Sequence, residues 1–107
     1  MAKLSGPYEV FDIGDGEAVQ IRVMRTAEGE IDIHPQYGEA VKTVQALRLY
    51  LEHPWVAGRL PYLDITSQRL RMDLLGRLRD IPPEGKMIRI TKHGVAPKAL
   101  FTVENIV

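Results

Sequence analysis

Polar and apolar positions alternate most regularly near the start of the chain. Val19, Ile21 and Val23 are interleaved with Gln20, Arg22 and Met24, the period-two pattern of a strand with one buried face. Ahead of it, Asp12-Ile13-Gly14-Asp15-Gly16-Glu17 reads as a turn, because Gly and Asp tolerate left-handed backbone. Thr26-Ala27-Glu28-Gly29 suits a hairpin connection with Gly29 at a positive φ. A second strand is expected after it, with Ile31 and Ile33 inward and Glu30, Asp32 and His34 outward. Residues 38–53 carry two periodicities at once. Ala40, Val44, Leu47 and Leu51 recur at helical spacing. Leu47, Leu49 and Leu51 also alternate with Arg48 and Tyr50 as in a strand. Length and the Ala, Leu, Gln and Glu content favour the helix, and Pro54 ends either element.

Residues 60–66 read as a third strand, with Leu63 and Ile65 inward and Tyr62 and Asp64 outward. Ser67 is a good N-cap for a helix whose apolar stripe is Leu70, Leu74, Leu75, Leu78 and Ile81. Pro82-Pro83 stops it and Glu84-Gly85 turns the chain. Ile88 and Ile90, alternating with Met87, Arg89 and Thr91, give a fourth strand, and Phe101 and Val103 anchor a last one. The order is strand, strand, an extra helix or strand near 38–53, strand, helix, strand, strand. It predicts an α+β chain, mainly β with helix. The clear helix between the third and fourth strands matches the OB-fold, a five-stranded, partly open barrel plugged by a helix. Ligands of that fold cross the face of its second and third strands, between two loops. Those loops are expected here at residues 25–30 and 92–98.

Composition narrows the function. With 107 residues, 45% of them hydrophobic and 26% charged, residues 1–107 are expected to form a single domain with a real core. There is no cysteine, which removes disulfides, thiolate metal sites and thiol nucleophiles. Apolar runs are only a few residues long, so no membrane span is expected. The first seven residues, Met1-Ala2-Lys3-Leu4-Ser5-Gly6-Pro7, lack the apolar stretch of a secretory signal, so the expected setting is cytoplasmic. Net charge is zero, but it is unevenly spread. Residues 1–54 carry five basic and nine acidic side chains, and residues 55–107 carry nine basic and five acidic. One face of the fold could therefore be locally positive.

The segment IPPEGKMIRITKHGVAPKALFTVENI, from Ile81 to Ile106, resembles the end of small phage- and plasmid-type single-stranded DNA-binding proteins of the OB type. Shared features are a leucine-containing helix, a Gly turn, the Ile88-Arg89-Ile90 strand, a basic Gly-containing loop and the closing Phe101-Thr102-Val103 strand. IGDGEAVQIRV, from Ile13 to Val23, resembles the Gly-Asp turn that leads into their first strand. The resemblance covers roughly half of the chain, and residues 38–60 depart from it. It implies non-sequence-specific binding of single-stranded DNA or RNA in replication, recombination or repair.

Single strands are held by cations along the backbone and aromatic rings stacked on bases. The candidates are Arg22, Lys86, Arg89, Lys92 and Lys98 with Tyr62 and Trp55. Trp55, in a loop after Pro54, reads either as an exposed stacking platform or as a lid on the core, and a lone Trp favours the lid. The helix arginines Arg69, Arg71, Arg77 and Arg79 lie at varied angles round the axis and read as a solvated face. His34, His53 and His93 have no metal-ligand spacing, and no phosphate loop or nucleophile motif occurs. No enzyme activity and no cofactor is therefore expected. The competing expectation, favoured by zero net charge, is a protein-binding module: an assembly component, a small regulator of a larger complex, or a homo-oligomer.

Overall fold

A computed structural model describes residues 2–33, 40–95 and 98–106. Its elements are β1 (Ala18–Ile33), β2 (Lys42–Leu51), β3 (Tyr62–Ile65), α1 (Gln68–Arg77), β4 (Lys86–His93) and β5 (Leu100–Asn105). They form an antiparallel five-stranded sheet in the order β3-β2-β1-β4-β5, with the helix between β3 and β4 in the chain.

Two expectations from local pattern give way to strand pairing. The hairpin expected at residues 26–29 does not form, and both predicted strands are one 16-residue strand, β1. Thr26, Ala27, Glu28 and Gly29 pair in continuous register with Leu49, Arg48, Leu47 and Ala46, so cross-strand bonding outweighs the turn propensity of Glu-Gly. The loop expected at residues 25–30 thus lies within the sheet. The β1–β2 connection falls at residues 34–41, of which 34–39, including the outward-facing position assigned to His34, are outside the described residues. The helix favoured within residues 38–53 is strand β2. Here the period of two wins, because Leu47, Leu49 and Leu51 enter the core from one face while β1 and β3 supply pairing partners on both edges.

β1 serves two neighbours with its two halves. Ala18–Val23 pair with β4, and Val23–Ile33 pair with β2. The register shifts between Val23 and Arg25, a bulge that bends the strand at the changeover. Gly85 makes the bend possible. Its φ is +85°, and a Cβ there would sit 2.6 Å from Met24 Sδ and 3.1 Å from the Val23 carbonyl oxygen. The curled sheet closes its concave face over α1. Leu70, Leu74 and Leu78 pack there with Ile21, Val23, Leu47, Leu49, Leu51, Leu63, Ile65, Ile88, Ile90 and Val103. Ser67 caps the helix as expected, its hydroxyl accepting from the Leu70 N–H at 3.4 Å. α1 stops at Arg77, short of the proline pair, and Lys86 Nζ donates to the Arg77 carbonyl at 2.6 Å.

The sheet is not closed into a barrel. β3 has only four residues, and its outer edge is occupied by the N-terminal segment. Phe11 N–H donates to the Asp64 carbonyl, and Asp64 N–H to the Glu9 carbonyl. β5 is left with β4 as its sole strand partner among the described residues. Between the end of β3 and the start of β5 lies a cleft of about 290 Å³ walled by Phe11, Ile65, Leu70 and Phe101.

If α1 supports the sheet as this packing implies, Leu74→Ala removes a side chain with 0% exposure and should cost about 2–5 kcal/mol. Urea unfolding reads this directly. A loss near zero would show that the helix is peripheral.

Candidate functional site

The convex face of the sheet is built from residues that the strand alternation turns away from α1. On β2 these are Ala46, Arg48 and Tyr50, on β3 Tyr62 and Asp64, and on β1 beyond the bulge Arg25, Ala27, Gly29 and Ile31, as their cross-strand pairing requires. The N-terminal residues cross this face as a strap. At one end Leu4 N–H donates to the Glu30 carbonyl and Glu30 N–H to the Ala2 carbonyl. Gly29 permits this approach, since a Cβ there would lie 2.7 Å from the Ala2 carbonyl oxygen. At the other end residues 9–11 follow β3. Lys3 and Thr43 both bond Asp32, at 2.7 and 2.8 Å.

Beneath the strap Arg48 and Asp64, directly opposite each other on β2 and β3, form a buried two-point ion pair. Nε–Oδ1 is 2.7 Å and Nη2–Oδ2 is 3.1 Å, with side-chain exposures of 3% and 0%. The remaining bonds of the pair go to the strap. Arg48 Nη1 donates to the Ser5 carbonyl at 2.8 Å, and Glu9 N–H donates to Asp64 Oδ2 at 2.8 Å. Burial works against the Arg48 charge. Hydrogen bonding and Coulomb attraction from Asp64 outweigh it and hold the guanidinium pKa above its ordinary value.

Two guanidinium groups flank a pair of tyrosine rings along this face. The Arg48 guanidinium lies 4.1 Å from the Tyr62 ring, Tyr62 lies 6.0 Å from Tyr50, and the Arg25 guanidinium lies 3.7 Å from the Tyr50 ring. Arg48 and Tyr62 are at the strap end, where the Tyr62 hydroxyl donates to the Pro7 carbonyl. Arg25 and Tyr50 are at the open end. Arg25 is exposed and makes no ion pair among the described residues. The face continues onto β4, where Arg22 is paired with Met87 and Gln20 with Arg89.

The seven residues singled out from sequence are dispersed. Arg22 and Arg89 share the convex face of β1 and β4. Arg22 bonds Glu52 at 3.1 Å and the Glu84 carbonyl, and Arg89 bonds Gln20 at 3.2 Å. Tyr62 is on the same convex side, held by the strap. Lys86 closes the end of α1. Lys92 is tied to Asp12 at 2.8 Å with 12% of its side chain exposed. Lys98 is exposed in the β4–β5 connection. Trp55 packs edge-on against Phe11, with ring centroids 5.8 Å apart, at the margin of the core, and its Nε1 is buried with no partner among the described residues. Arg25, Arg48 and Tyr50 complete the arrangement and were not among the seven. The strand alternation of residues 47–51 was the signal for Arg48 and Tyr50. Among the described residues no group of three or more His, Asp or Glu is placed to hold a metal, and no helix is long and apolar enough to cross a membrane. Comparison with known protein families, characterised proteins and solved structures finds no match to this chain.

The ion pair generates a direct test. Asp64→Ala strands a buried guanidinium and should cost about 3–5 kcal/mol. The double replacement Arg48→Met with Asp64→Leu should cost much less, because neither charge is left alone. Denaturant unfolding of the three proteins measures both. A single-variant loss below about 1 kcal/mol would mean that water reaches the pair.

Proposed function

We propose that this protein binds single-stranded nucleic acid without sequence preference, along the convex face where β2, β1 and β4 meet, in replication, recombination or repair. The observation that carries this reading is the Arg25–Tyr50 stack: a guanidinium with no ion pair among the described residues, set against a half-buried ring on the convex sheet face. Arg22 and Arg89 extend the cationic line across β1 and β4. A strand lying there would find phosphate partners in the arginines and a stacking surface in Tyr50, the combination that holds single strands regardless of base identity.

The topology is consistent with this reading. The order β3-β2-β1-β4-β5, with a helix after β3, is what an OB-type barrel leaves when it opens between its third and fifth strands. On that reading the strap lies over part of the face that OB-folds use for ligands, which moves the available surface towards the β1 bulge. Lys98 supplies a further exposed cation in the β4–β5 connection, the second of the two loops that border ligands in such folds.

The alternative of a protein-binding module draws support from one observation. Arg22 and Lys92, two of the cations proposed from sequence, are already engaged by acidic side chains of the same chain. Fluorescence anisotropy with a labelled oligodeoxythymidine, run across a salt series, separates the readings. Arg25→Ala should weaken binding and lower the salt slope by roughly 0.7. Tyr50→Ala should weaken binding by about 1–3 kcal/mol while leaving that slope nearly unchanged. Absence of binding by the unaltered protein at low salt would sink the nucleic-acid reading and leave the protein-partner reading in its place.

A further inference from the structure

The cleft left where β3 and β5 fail to meet has an apolar wall and a polar end. The wall is Phe11, Ile65, Leu70 and Phe101, and the first three are buried members of the core. Its volume of about 290 Å³ is roughly twice the ~150 Å³ of an apolar cavity that takes up benzene. One aromatic ring with a short substituent therefore fills it. Phe11 and Phe101, tilted at 49° with centroids 5.9 Å apart, line it with ring surface, against which a further ring packs favourably.

Lys92, Asp12 and Ser67 line the polar end. The Lys92 side chain is 12% exposed and that of Asp12 is 71% exposed, so the ammonium is the inner member of this ion pair and the carboxylate the outer one. An ammonium carries three N–H donors, and Asp12 takes one of them at 2.8 Å. The Ser67 oxygen accepts from the Leu70 N–H, which leaves its O–H to donate. Lys92 and Ser67 thus both offer hydrogen beside an apolar wall. The complement is an acceptor-only group on an apolar body, and an ionised carboxylate accepts at both oxygens and donates at neither. An amine would meet only the exposed Asp12 and would face the Lys92 charge. We propose that this cleft binds a small aromatic carboxylic acid, with its ring against Phe11, Leu70 and Phe101 and its carboxylate on Lys92. The site is separate from the convex face and does not depend on what that face binds.

Isothermal titration calorimetry with phenylacetate, and with 2-phenylethylamine as an amine of similar body, tests the proposal. Trp55, the sole tryptophan, lies 5.8 Å from Phe11, so its emission reports occupancy of the cleft independently. Phenylacetate should bind with a Kd below about 1 mM, and the amine should bind at least about tenfold more weakly. Lys92→Met should lower the affinity for phenylacetate by about 10–100-fold and remove its advantage over the amine. Asp12→Asn keeps an oxygen for the Ile13 N–H but removes the competing charge, and should tighten phenylacetate several-fold. Ala99 also lines the cleft, so Ala99→Leu should abolish binding by filling it while leaving both charges in place. If Lys92→Met unfolds, Asp12→Asn and Ala99→Leu decide the matter. No heat and no change in Trp55 emission with phenylacetate up to about 10 mM, equal affinity for acid and amine, an Asp12→Asn variant that binds no tighter, or undiminished binding by Ala99→Leu or by a folded Lys92→Met variant would each overturn the proposal.

Discussion

The Arg48–Asp64 pair determines what the convex face of this sheet can be. A charge taken out of water loses several kcal/mol of hydration, and its partner repays this only when geometry is good and the remaining donors and acceptors are also satisfied. Both conditions are met here, and the second is met by the strap. Ser5 and Glu9 complete the hydrogen bonding of the two side chains. The strap is therefore a component of the ion pair, and the ion pair a component of the strap's attachment. Ile31 and Ala46, buried on the same side but outside the main core cluster, are consistent with a second, smaller packed layer under it. A sheet that would otherwise have one core face has two.

The concave face is organised by a different constraint, the bend in β1. Sixteen residues at ~3.3 Å each would make a strand too long to share one flat sheet with a four-residue β3. The bulge next to Met24, accommodated by Gly85, lets the first half of β1 run with β4 and the second half with β2. The sheet curls far enough to wrap α1 but not far enough for β3 to reach β5. Residues 9–11 fill that shortfall on the β3 side, and the Phe11–Phe101 contact, 5.9 Å between rings, bridges the seam with side chains instead of hydrogen bonds.

Strongly local signals were legible in the sequence. Ser67 before a leucine stripe gave α1 and its cap, and the alternation in 19–23, 88–90 and 101–103 located parts of three strands. Tyr62 and Asp64 were assigned to the outward side of β3, and that is where they lie. Signals that depend on partners misled. Glu28-Gly29 is good turn chemistry, yet Gly29 is mid-strand because the strap passes over its Cα, a contact between residues 25 apart in the chain. In 40–51 the helical spacing of Val44, Leu47 and Leu51 coexists with alternation, and only the presence of β1 and β3 on either side makes the strand pattern the stable one. Asp64 reads as a surface carboxylate until a buried arginine from β2 and an amide from the strap are brought to it. The dispersal of the candidate cations has the same origin: Lys86, Lys92 and Arg22 are basic residues in loop- and strand-like sequence, and the groups that occupy them come from 9 to 80 positions away.

These two constraints together divide the convex face. Where the strap crosses, Arg48 and Tyr62 have their polar groups committed, and a ligand could reach them only by displacing hydrogen bonds that also neutralise a buried charge. That displacement would expose the uncompensated pair to a desolvation cost larger than a stacking contact returns, ~1–3 kcal/mol per base. Beyond the strap a second pairing of guanidinium and ring, Arg25 with Tyr50, occurs without the buried charge and, among the described residues, without a covering chain. Any ligand of this face should therefore engage the open end, next to the bulge, and leave the covered end intact. The covered half supplies rigidity: Tyr62, fixed by Pro7 and Arg48, backs Tyr50 from 6.0 Å and limits the rotamer freedom that Tyr50 would otherwise lose on binding. On the proposed reading, the Tyr62 ring that the sequence offered for stacking is a support, and Tyr50 on β2 is the surface a base would meet.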